Sequence, residues 1–130
     1  MKRIIAAVIV LALILCAPIH GLSEDQYTIQ LARVIYAVAR NDSYDAKLAL
    51  GSVVMNRVEN PWYPDTLAEV LAEKHQFPAG QTYDDESLKA AHEVVTGMRT
   101  LDTELVQWSS QPIEARKCVQ VGALYMATRN

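Results

Sequence analysis

Apolar residues recur every three or four positions from about Glu24 to Ala39, where Tyr27, Leu31, Val34, Ile35 and Val38 share one side of a helix drawn through the segment. Asn41, Asp42 and Ser43 interrupt that pattern; all three are turn formers and N-cap candidates. A second helix is expected from about Tyr44 to Val58, with Ala46, Ala49, Leu50, Val53, Val54 and Val58 inward and Gly51 among them to admit a close neighbour. Asn60, Pro61 and Pro64 stop it. Thr66-Leu67-Ala68-Glu69 has capping-box spacing and opens a third helix that ends near Lys74, with Leu67, Val70 and Leu71 facing inward. Residues 75–85 read as a loop. A fourth helix follows from about Glu86 to Thr96, capped by Asp84 or Asp85, closed at Gly97, and burying Leu88, Ala91 and Val95. The period then shortens: Glu104 to Ser109 and Val119 to Thr128 are strand-like, with Pro112 to Lys117 between them, and they are placed to pair as a hairpin. The fold class is α+β, mainly helical, with a small C-terminal β-hairpin.

The extreme N-terminus follows a different rule. Lys2 and Arg3 precede an uncharged apolar run from Ile4 to Ala17, which Pro18, His20 and Gly21 break. A basic start, a short apolar stretch and a small-residue exit describe an export signal, and the run is short for a membrane span of about 20 residues. Residues 1–21 are therefore assigned to a secretory signal or N-terminal anchor, and residues 22–130 to one domain that works outside the cytoplasm. Membrane association is expected only through the N-terminal segment. Leu15, just before Cys16, is too large for the usual lipidation site.

Charge and cysteine content narrow the function. The whole chain carries a formal net charge of −3, and losing Lys2 and Arg3 makes it more negative. An acidic domain without a basic stripe is a poor match for nucleic acid. Beyond residue 21 the one cysteine is Cys118, so no internal disulfide is available. His75 and His92 lack the spacing of a zinc site, and His92 reads as a surface or boundary residue.

Two stretches carry a resemblance: Leu31-Ala32-Arg33-Val34-Ile35-Tyr36-Ala37-Val38-Ala39-Arg40, and Ala49-Leu50-Gly51-Ser52-Val53-Val54-Met55-Asn56-Arg57-Val58. Pro64, Thr66, Val70, Gln76-Phe77, Ala91 and Gly97 continue it in order. Together they resemble the SleB/CwlJ family of bacterial cell-wall hydrolases. The resemblance implies a lysozyme-like, lytic-transglycosylase-like fold acting on peptidoglycan glycan strands. It implies that one glutamate protonates the glycosidic oxygen and then serves as base while a sugar hydroxyl closes an anhydro ring. No metal and no cofactor is expected.

The same resemblance exposes a departure. The family pattern Tyr-x-Glu-Ala-Arg-Gly-Glu is here Tyr36-Ala37-Val38-Ala39-Arg40-Asn41-Asp42, so Val38 stands where the catalytic glutamate belongs. Loss of a positioned general acid typically removes about 10²–10⁴ of rate. Pro78 follows Phe77 directly where the family has Gln-Phe-Ser-Pro, and Ala46-Lys47 replaces a Gly-Gln pair. Asp42, four residues beyond Val38, is the candidate stand-in acid, with capping of the second helix as its simpler role. Sugars dock on aromatic faces and hydrogen-bonding side chains, which nominates Tyr36, Arg40, Gln76 and Phe77, with Tyr83 and Trp108 beside them. Packing is the simpler role for each, and for Phe77 in particular a buried anchor. The sequence thus offers two functions: a wall glycan hydrolase with reduced or absent activity, or a non-catalytic exported protein that binds peptidoglycan.

Overall fold

The computed structural model describes residues 26–130. The export segment, Cys16, Glu24 and Asp25 lie outside the described residues.

Helix α1 covers residues 26–39. Leu31, Ala32, Val34, Ile35 and Ala39 are buried, whereas Val38 is half-buried against the core. Tyr27 was expected on the apolar face but is 42% exposed. It lies in the outermost described turn, where a phenol keeps its hydroxyl in water.

Helix α2, Tyr44–Val58, matches its expected bounds. Its N-cap is Ser43, whose hydroxyl accepts from the Ala46 N–H at 3.1 Å. Asp42 is therefore not the cap. Every residue from Ala46 to Val54 is buried, so α2 is the central rod of the domain, with the two later helices and the sheet packed around it. Gly51 serves the close approach its position suggested: a Cβ there would stand 2.8 Å from Val94 Cγ2 on the fourth helix.

Helix α3 is shorter than expected, Leu67–Leu71 rather than reaching Lys74. The forward half of its capping box forms, with the Thr66 hydroxyl accepting from the Glu69 N–H at 3.3 Å. Short turns follow, and His75 takes a left-handed φ of 62° that redirects the chain into Gln76 and Phe77. Helix α4, Asp85–Val95, is capped by Asp84, whose carboxylate accepts from the Ser87 N–H at 2.8 Å. That hydrogen bonding holds the Asp84 carboxyl below the usual carboxylate range. Ala90, Ala91 and Val94 are buried, while Leu88 and Val95 sit at the margin. Gly97 ends the helix at φ 125°.

The β region is richer than the expected two-stranded hairpin. The stretch from Val119 to Thr128 breaks at Gly122 (φ 59°), giving β2, Cys118–Val121, and β3, Leu124–Thr128. These pair antiparallel, and β1, Leu105–Ser109, joins the other side of β3, so the strand order is β1-β3-β2. The imperfect alternation that blurred the sequence pattern has a cause: a bulge interrupts the register between Leu105 and Gln107, leaving Leu105 and Val106 both buried.

The last turn of α2 fastens this sheet to the helices. The Asn56 amide donates to the carbonyls of Asp102 (2.9 Å) and Leu105 (3.1 Å). Arg57 Nε donates to the Val106 carbonyl at 2.6 Å. Among the described residues, no helix is long and apolar enough to cross a membrane.

Candidate functional site

Two regions hold the residues nominated from sequence. The first is the end of α1 and the turn behind it. Tyr36 and Arg40 lie one helical turn apart, and the Arg40 guanidinium stands 6.0 Å from the Tyr36 ring centroid. Val38 packs its hydrocarbon against the core. Each Asp42 oxygen holds a backbone N–H: Oδ1 accepts from that of Ser43 at 2.7 Å, and Oδ2 from that of Ala123 at 3.0 Å in the β2–β3 turn. A Cβ on Gly122 would fall 2.1 Å from Asp42 Oδ1, so the turn meets the carboxylate where only glycine fits. Asp42 is a strut between the α1–α2 turn and the hairpin.

Lys47 completes this corner from beneath. Its side chain is 3% exposed, yet Nζ donates to the Asp42 carbonyl and to Glu86 Oε1, both at 3.1 Å. A buried ammonium needs such partners, and these two hold the turn from α2 and α4 at once. Beside it the Tyr44 hydroxyl donates to Glu93 Oε2 at 2.6 Å. Burial, reinforced by that bond, pushes the phenol well above its ordinary value. The nearby carboxylates of α4 are thus occupied by Lys47 and Tyr44.

The second region lies between α2, the loop after α3 and β1, and is built around Arg57. Its guanidinium is held 4.8 Å from the Tyr63 ring centroid and 4.9 Å from that of Phe77. It also donates to Gln76 Oε1 at 3.1 Å and lies 3.8 Å from Glu73 Oε1. Burial lowers its pKa, with Tyr63 and Glu73 opposing the shift. Phe77 is 8% exposed and stacks on Trp108, ring centroids 6.2 Å apart and planes 15° from parallel. Trp108 Nε1 donates to the Gln76 carbonyl at 2.9 Å. His75, Gln76, Phe77, Pro78 and Trp108 line an open hollow of about 480 Å³. Polar groups of a bent loop lie there beside the partly exposed Trp108 ring, and aromatic surface flanked by hydrogen-bonding groups is what a saccharide docks on.

The structure therefore joins Tyr36 to Arg40, and Gln76 and Phe77 to Trp108. Among the described residues no hydrogen bond or ring contact connects the two groups. Tyr83 belongs to neither; it lines a separate hollow with Thr28, Ile29, Leu88 and His92. Phe77 fills the anchoring role that was its simpler expectation. The organising parts played by Arg57 and Lys47 were missed in the sequence. Both lie on the inward stripe of α2, Lys47 three residues before Leu50 and Arg57 three after Val54, and a charge on a buried stripe was the signal. Among the described residues, no group of three His, Cys, Asp or Glu side chains is arranged to hold a metal ion, and Cys118 is exposed and free.

A model of the cell wall hydrolase family matches residues 41–120. This chain belongs to the cell wall hydrolase family. The match begins three residues beyond Val38 and includes Asp42, Arg57, Gln76, Phe77 and Trp108. The chain is similar to the spore cortex-lytic enzyme of Bacillus subtilis, 36% identical over 56 residues that make up 41% of this chain and 18% of the relative. It is also similar to the spore cortex-lytic enzyme of Oceanobacillus iheyensis, 32% identical over 86 residues, 64% of this chain and 31% of the relative. It thus spans less than a third of either.

Among solved structures, this cell wall hydrolase domain resembles the catalytic domain of the germination-specific lytic transglycosylase SleB from Bacillus anthracis. The TM-score is 0.66 at 21% identity, covering 78% of this chain and 93% of that one. The catalytic domain of the Bacillus cereus SleB protein gives 0.68 at 21% identity, covering 78% and 89%. The mainly helical α+β fold expected from sequence is the fold of these domains.

Proposed function

We propose that this family member works outside the cytoplasm, holds peptidoglycan glycan strands and cleaves them slowly or not at all. One observation carries the reading: the helix position matching the family's catalytic glutamate holds Val38, and the nearest carboxylate in sequence, Asp42, has both oxygens committed to backbone N–H groups. A general acid must present a proton to the leaving oxygen at hydrogen-bond distance. An isopropyl group has none. Asp42 would have to release the hairpin before it could turn toward a substrate. The open hollow beside Gln76 and Trp108 and the Tyr36–Arg40 pair support retained glycan contact. Membership of the wall hydrolase family and the export-like N-terminus support the wall as the place of action.

The test incubates the protein with purified peptidoglycan. The expected result is retention on the insoluble wall without release of anhydro-muropeptides, as read by mass spectrometry. Release that is lost in Asp42→Asn would overturn the reading and make Asp42 the acid. Val38→Glu is expected to restore measurable release. A folded but silent Val38→Glu variant would show that the loss of chemistry extends beyond one side chain.

A further inference from the structure

A further concave surface lies at the opposite end of the sheet from Asp42. Asp42 holds the β2–β3 turn, and β3 runs from there to Thr128, about 13 Å further at the usual strand rise. Beyond it Arg129 meets Trp62, and both line a hollow of about 370 Å³ together with Asn60, Val106 and the Glu104–Arg116 pair. Trp62 is 74% exposed. It is nonetheless firmly placed. Its N–H donates to Asn60 Oδ1 at 2.9 Å, the Tyr63 N–H donates to the Asn60 carbonyl at 3.1 Å, and the Tyr63 ring lies against buried Arg57. The wall is fixed as well, since the Val106 carbonyl is the acceptor for Arg57 Nε.

The charges around this hollow are unequal. Arg116 is paired with Glu104, and Lys117 with Asp102. The Arg129 guanidinium lies 4.3 Å from the Trp62 ring centroid and has no carboxylate partner among the described residues. It lies over part of the indole, and both side chains border the same hollow, so the exposed remainder of the ring and the guanidinium edge are offered together. The site therefore offers an aromatic plane, an unneutralised guanidinium and the free amide nitrogen of Asn60. A pyranose ring packs against the exposed indole from the hollow, and a carboxylate on that ring pairs with the guanidinium edge beside it.

We propose that Trp62 and Arg129 form a second saccharide site, which takes a peptide-free, carboxylate-bearing sugar unit of the wall glycan and holds the strand away from the Val38 surface. This rests on the reading that the ligand is wall glycan. It would let a chain with little or no lytic chemistry grip one strand at two points, where avidity multiplies weak contacts.

The test measures binding by the full chain to two saccharide probes, glycan strands from purified peptidoglycan with the stem peptides removed by amidase, which keep their lactyl carboxylates, and neutral chitohexaose, and, as a control, to vesicles of anionic phospholipid. Trp62→Ala is expected to weaken both by about tenfold. Arg129→Gln is expected to weaken the strands by about fivefold and leave chitohexaose unchanged. Unaltered binding of both probes by both variants overturns the proposal. So does a Trp62→Ala effect confined to vesicles of anionic phospholipid, which would assign the indole to a membrane surface. Tyr36→Ala separates the two readings. Strand binding weakened by Tyr36→Ala but indifferent to Trp62 and Arg129 removes only the second site. No strand binding by the unaltered chain removes both.

Discussion

The turn after α1 and the loop after α3 both carry residues nominated for substrate contact, and the structure has treated them in opposite ways. At the first, residue 38 is hydrocarbon, and the candidate acid Asp42 is bound by the backbone on both oxygens. At the second, the aromatic and polar groups persist, and each also serves the fold. Phe77 stacks under Trp108, Gln76 accepts from Arg57, and Trp108 ties its indole N–H to the loop. A catalytic glutamate contributes to rate and costs stability when half-buried, so nothing in the packing resists its replacement by valine. A ring that is both wall and anchor cannot be exchanged so freely. On the function proposed above, the holding surface would outlast the reactive group because it is part of the core.

Substitutions at the two places test that contrast. The largest effect is expected at Arg57. Arg57→Ala empties the space between Tyr63 and Phe77 and strands the Val106 carbonyl, and is expected to cost about 3–5 kcal/mol in urea unfolding. A loss below about 1 kcal/mol would mean that the loop and strand do not depend on α2. Next is Gly122→Ala, which combines a left-handed φ with a steric conflict at Asp42 and is expected to cost about 2 kcal/mol. Asp42→Ala is expected to cost about 1–3 kcal/mol, because it leaves the Ala123 and Ser43 N–H groups without their acceptor. If Asp42→Ala removed little stability while abolishing glycan cleavage, the strut would be an acid after all.

The smallest effect is a pH dependence. Asp84 has its folded pKa depressed, so its contribution is present above the unfolded carboxylate value and is lost as pH falls through the folded one. Replacement by asparagine keeps a cap that does not titrate. The stability difference between the unaltered chain and Asp84→Asn, followed by urea midpoints, is expected to hold near pH 6 and to shrink below about pH 4. A difference that grew in acid would contradict the capping geometry.

The helices were legible because their signals are local. Ser43, Thr66 and Asp84 sit where caps are needed, and α2 keeps its expected bounds because turn formers precede it and Asn60 and Pro61 follow. The sheet was only half legible. The bulge near Val106 and the left-handed Gly122 break the two-residue period, and the pairing of β1 with β3 across the hairpin depends on contacts from α2 that no local pattern encodes. The candidate site divides in the same way. The absence of an acid at residue 38 is visible letter by letter. That Asp42 holds a hairpin, and that Arg129 finds Trp62, are meetings between distant parts of the chain. Such pairs become visible only when the fold brings them together.

The Asp42–Ala123 hydrogen bond closes a loop of 81 residues, which has a consequence for the order of assembly. The helices can form and pack through contacts of shorter span, such as Lys47–Glu86, while the corner that presents Tyr36, Val38 and Arg40 waits for the β2–β3 turn to arrive. In a refolding experiment, protection of the Ala123 amide from hydrogen exchange should lag behind that of α2. Until it appears, the Asp42 carboxylate is free to swing, and this corner is briefly less rigid than in the finished protein.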